Sequence, residues 1–96
     1  MEVLEIERAG GPHQGEYRAL IDGKPSGAKL SWIDRGGHRV ALSTYVPPEL
    51  REHGIAFKLV TAMIEDARLE GFKIVPQCSY VAAKFDQHPE WAELRA

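Results

Sequence analysis

The sequence predicts an α/β (α+β) domain: a four-stranded antiparallel meander, a central helix, a fifth strand parallel to strand four, and short C-terminal helices. Three observations predict it. Apolar and polar residues alternate through the first half between Gly- and Pro-rich turns. From Ile55 the apolar positions change to helical spacing. The short apolar run Phe72-Lys73-Ile74-Val75-Pro76 then follows that helix.

Each element has its own signal. Residues 2 to 8 alternate through Leu4 and Ile6 until Gly10-Gly11-Pro12 ends the first strand. Residues 16 to 22 alternate through Tyr17, Ala19 and Ile21. Asp22-Gly23-Lys24-Pro25-Ser26-Gly27 then supplies turn residues before Ala28, Leu30 and Trp32 resume the period of two. Gly36-Gly37 turns the chain into residues 38 to 46, rich in Val, Thr, Tyr and Leu, and Pro47-Pro48 removes two ladder donors. Ile55, Ala56, Leu59, Val60, Met63, Ile64 and Ala67 form one helical stripe, ended by Gly71. The intervening helix makes the fifth strand a parallel partner of the fourth through a right-handed crossover, and Pro76 limits how far that pairing runs. Residues 79 to 87 read as a short helix, and His88-Pro89-Glu90-Trp91 as a last turn or two with proline at the first position.

Composition narrows the function classes. Ninety-six residues suit a single domain, residues 1–96, with one core. Twelve basic against fourteen acidic side chains, both scattered, give a net charge of −2 and no basic face of the kind nucleic acid requires. No apolar run approaches a membrane span, and the amino end Met1-Glu2-Val3-Leu4-Glu5 lacks the order of a signal peptide, so a cytoplasmic location is expected. The lone Cys78 rules out an intrachain disulfide and suits a reducing compartment. His13, His38, His53 and His88 are too widely spread for a metal site, and none is expected.

The most informative stretch is Val46-Pro47-Pro48-Glu49-Leu50-Arg51-Glu52-His53-Gly54-Ile55-Ala56, where a strand ends and a helix begins. A helix start carries unpaired N–H groups and a partial positive charge, which suit a phosphate or diphosphate. Gly54 lets a ligand approach the backbone, small Ala56 keeps the next contact clear, and Arg51 offers a charge-assisted bond. The same spacing also fits an ordinary loop with a glycine near the helix start, and it is neither a P-loop nor a dinucleotide fingerprint.

Here the sequence resembles a known family. Arg51-x-x-Gly54-x-Ala56 is similar to the acyl-CoA diphosphate motif Gln/Arg-x-x-Gly-x-Gly/Ala of the GNAT N-acetyltransferase superfamily. Ile74-Val75-Pro76-Gln77-Cys78-Ser79-Tyr80-Val81-Ala82-Ala83 and His88-Pro89-Glu90-Trp91 look like the signatures of its minimal, YjdJ-type branch, and the likeness spans roughly residues 14 to 95. The resemblance implies a shortened GNAT fold with acetyl-CoA in the gap where strands four and five part. Its diphosphate would meet the backbone of Glu52, His53, Gly54, Ile55, Ala56 and Phe57. Its thioester carbonyl and pantetheine arm would meet strand four at Thr44, Tyr45 and Val46.

The resemblance also places the branch's active-site cysteine at Cys78, which would either take the acetyl group or move a proton during direct attack. By its own residue type Cys78 reads equally as a small core side chain. A protonated amine must lose a proton before attack, and Glu49, His53 and His88 are the titratable candidates. Two departures stand out. Ser43-Thr44 occupies the place of a His-Thr pair, leaving Ser43 as the polar substitute, and the loop reads Arg-Glu-His-Gly where relatives favour Arg-Gly-x-Gly. The expected activity is acetyl transfer to a primary amine, on a protein lysine or a small molecule. The rival readings are a non-catalytic CoA-binding module and a plain interaction domain.

Overall fold

A computed structural model describes residues 2–96. Met1, part of the amino end considered above, lies outside the described residues. Five strands, β1 (Leu4–Gly10), β2 (Gln14–Ile21), β3 (Lys24–Arg35), β4 (His38–Tyr45) and β5 (Lys73–Pro76), form one sheet in the order β1-β2-β3-β4-β5. The first three pairings are antiparallel and β4 to β5 is parallel. Between β4 and β5 run a 3-10 turn, Pro48–Leu50, and helix α1, Ile55–Glu70. Helix α2, Ser79–Gln87, and a 3-10 segment, Pro89–Leu94, close the chain. This is the α/β architecture of a shortened GNAT fold.

One hairpin differs from its expected form. The turn between β2 and β3 contains only Asp22 and Gly23, both at positive φ (52° and 79°), which matches the twist of the flanking strands. Lys24 already pairs with Ile21, and Pro25 with Leu20. Turn-forming residue types therefore overstate the loop, because a proline is accepted in a strand beside a register irregularity, here between Arg18 and Leu20. β1 is likewise shifted. It begins at Leu4 and extends to Gly10, whose partner is Gly15.

The core lies between the sheet and both helices. Tyr17, Leu30, Leu59, Met63, Ile74, Val60 and Val81 are its largest fully buried members, and they join β2, β3, α1, β5 and α2 in one cluster. Each such side chain contributes about 1.5–3 kcal/mol of transfer free energy. Asp66 of α1 is the buried charge. It accepts from Arg8 Nε at 3.0 and 2.9 Å and from the Tyr17 hydroxyl at 2.8 Å, and Arg39 Nη1 also donates to that hydroxyl. The Arg39 guanidinium lies between the Trp32 and Phe72 rings at 4.0 and 4.1 Å. Burial and the Asp66 contact push the Tyr17 hydroxyl far above its ordinary pKa, so it stays a donor. The network ties α1 to β1, β2 and β4.

Candidate active site

Buried Val46 and Pro47 follow the end of β4, and the Pro48–Leu50 turn leads to Arg51 and Gly54. Gly54 holds the N-cap position with φ 69° and ψ 17°, a left-handed conformation that glycine adopts at little cost. No side chain caps α1, and its first backbone bond runs from the Lys58 N–H to the Gly54 carbonyl at 3.3 Å. The Arg51 and His53 amides donate to the Pro48 and Leu50 carbonyls. Those of Glu52, Gly54, Ile55, Ala56 and Phe57 enter no hydrogen bond among the described residues. A Cβ built on Gly54 would meet nothing within 4 Å, so the space in front of this turn is open.

The side chains here divide. Glu49, Arg51, Glu52 and His53 are exposed, Ile55 is buried, and Ala56 and Phe57 are half-buried. Arg51 donates from Nε to the Val46 carbonyl at 3.0 Å, which fixes the turn to the strand end. Glu49 stands in the 3-10 turn without a hydrogen bond or ion pair among the described residues.

β5 leaves β4 early. Pairing runs from His38 with Lys73 to Ala41 with Pro76, and the Cys78 N–H then donates to the Ala41 carbonyl at 2.8 Å. Pro76 has no N–H, and the Gln77 amide turns back to the Val75 carbonyl at 2.9 Å, a three-residue turn that redirects the chain into α2. The β5-facing edge of β4 beyond Ala41 is consequently unpaired with β5.

Cys78 occupies the mouth of this gap at the N-cap position of α2. Its Sγ lies 3.4 Å from Thr44 Oγ1. Burial pushes the thiol pKa up, but hydrogen bonding from the Thr44 hydroxyl and the amides of Val81, Tyr80 and Thr44 outweighs it, and the pKa falls below the ordinary thiol value. Strand β4 thus brings Thr44, by hydroxyl and amide, to Cys78.

It does not bring Ser43 there. Successive strand side chains point to opposite faces, and Ser43 Oγ lies 2.8 Å from Ser31 Oγ on β3. Tyr45, at the end of β4, is 48% exposed. His88 stacks on Trp91 at 4.2 Å and on Phe57 at 5.4 Å, and its Nδ1 lies 2.9 Å from Glu90 Oε2, a contact that lowers the Glu90 pKa. The hydroxyl of Thr44 as partner of Cys78 escapes sequence reasoning, because a register irregularity between Ser31 and Trp32 decides which of residues 42 to 44 faces α2. The position of Lys84 beside Phe57 escapes it too, since a lysine on a short helix carries no signal.

Among the described residues no group of three or more His, Cys, Asp or Glu is arranged to hold a metal ion, and no helix is long and apolar enough to cross a membrane. A family model described as GCN5-related N-acetyl-transferase matches residues 16–94, from β2 through the last 3-10 segment. That span contains the parallel β4–β5 pair, the glycine-started α1 and the gap between them. The chain belongs to the GCN5-related N-acetyltransferase family.

Proposed function

We propose that residues 1–96 form a single minimal domain that transfers the acetyl group of acetyl-CoA to a primary amine, on a protein lysine or a small molecule. One observation carries this reading. Five backbone amides at the start of α1 are unengaged beside a strand edge that β5 has left open. Unpaired donors at a helix start suit a diphosphate, and an open strand edge suits an extended, amide-bearing arm that adds to the sheet. Family membership supports acetyl-CoA as the donor.

In this reading the amides of Glu52, Gly54, Ile55, Ala56 and Phe57 hold the diphosphate, with the Arg51 nitrogens not bonded to Val46 facing solvent beside them. Thr44, Tyr45 and Val46 offer the strand edge. Acetyl-CoA supplies an activated thioester: the amine's C–N bond forms, the C–S bond breaks, and one proton leaves the amine. We assign the Thr44 amide, on the strand edge that β5 leaves, to the developing carbonyl charge. Cys78 moves a proton to the departing sulfur. Glu49, exposed in the turn before α1, is assigned as the base, and Ser43 as a polar group on the other face of β4.

The test pairs binding with chemistry. Titrating CoA should shift the amide resonances of residues 51 to 57, and a panel of amines should consume acetyl-CoA faster with the wild type than with Cys78→Ala by roughly a hundredfold, the range of proton-transfer catalysis. Shifted resonances without amine-dependent turnover would favour the non-catalytic module. Unmoved resonances at millimolar CoA would sink the ligand site itself.

A further inference from the structure

We propose that Lys84 on α2 is a specificity-determining residue that binds the 3′-phosphate of coenzyme A, an inference that rests on the CoA-binding reading above. Charge alone would point to Arg51, the basic side chain nearest the glycine in sequence. The structure engages Arg51 Nε with the Val46 carbonyl instead. Lys84, in the last turn of α2, is a cation held between two aromatic rings. Its Nζ lies 5.5 Å from the centroid of the Phe57 ring, which springs from the third residue of α1, and 5.3 Å from that of Tyr80, two residues after Cys78.

Three features make Lys84 available to a ligand. It forms no ion pair with a carboxylate among the described residues. One of its three N–H donors goes to Gln87 Oε1 at 3.2 Å, which leaves two. The aromatic faces on either side hold the ammonium in place without neutralising it. Phe57 is braced in turn by stacking with His88 and Trp91 at 5.4 and 6.1 Å, so the platform is fixed.

The ligand's own charge completes the reasoning. Coenzyme A carries a diphosphate and a separate phosphate monoester on the ribose. The unengaged amides of α1 serve the first and belong to one turn. A second anionic group further along the ligand takes a donor from another element, and the Lys84 ammonium on α2 stands 5.5 Å from the ring of Phe57, whose own amide is one of the unengaged ones.

The experiment compares CoA with dephospho-CoA, which lacks only the 3′-phosphate. Wild type should bind CoA about three- to tenfold more tightly, the range for one partly exposed charged contact. Lys84→Gln should bring that ratio near one by weakening CoA alone, and Lys84→Arg should keep it. Far-UV circular dichroism and melting curves check that both variants are folded. An unchanged ratio in Lys84→Gln, or an equal loss for both ligands, would overturn the assignment while leaving the CoA site intact. Wild type that binds neither ligand fails the underlying reading as well, and does so before any variant is made.

Discussion

Thr44 and Cys78 meet at the gap between β4 and β5. The Thr44 hydroxyl 3.4 Å from Sγ helps hold the thiol below its ordinary pKa, against burial that acts the other way. Replacing Thr44 with Val keeps the shape and removes the hydroxyl, so the thiol pKa should rise and the pH at which iodoacetamide alkylation reaches half its maximum should move up. An unmoved midpoint would mean the backbone amides do all the lowering. The sign extends to folding: a depressed acid pKa contributes stability above the unfolded thiol's value that is lost as pH falls through the folded one. Thr44→Val should flatten that part of the stability profile. The position of Cys78, after the end of β5 and at the start of α2, was legible in the sequence because Pro76 stops the strand pairing. The Thr44 hydroxyl was not, because a bulge sets which side chain faces α2 and bulges leave no compositional trace.

Among elements, the start of α1 carries the proposed ligand site. Gly54 combines positive φ with open space, and these two properties are separable by mutation. Gly54→Asn should fold nearly as well as wild type, since Asn tolerates the left-handed region, whereas Gly54→Ala should cost about 1 kcal/mol in chemical denaturation. Both should lose CoA affinity if the ligand approaches the backbone there. Retained affinity in Gly54→Asn would show that glycine serves only the turn. The helical stripe from Ile55 to Ala67 was readable because its period is long and unbroken, and the structure starts α1 at Ile55. The β2–β3 turn was not, since six consecutive turn-type residues hide a two-residue hairpin whose φ values alone reveal it. The strand ends at β1 shifted for a related reason: pairing to β2, rather than local alternation, fixes them.

At the scale of the whole fold, the one buried charge among the described residues, Asp66, fastens α1 to the sheet. Asp66→Ala should lower stability by about 2–3 kcal/mol, because the Tyr17 hydroxyl and Arg8 lose their shared acceptor. For a chain of this size that corresponds to a melting point about 8–24 °C lower, and a drop under 2 °C would mean that water replaces Asp66 as the acceptor of the Tyr17 hydroxyl. The two tryptophans stand in different surroundings within one core. Trp32 is pressed under Arg39, close to Asp66, while Trp91 is stacked with His88 beside Phe57. The chain therefore carries its own pair of optical probes. Emission from Trp91 should change as a nucleotide settles on the first turn of α1, whereas Trp32 should respond to loosening of the Asp66 network, so Trp91→Phe and Trp32→Phe variants would let occupancy and unfolding be followed separately in one cuvette.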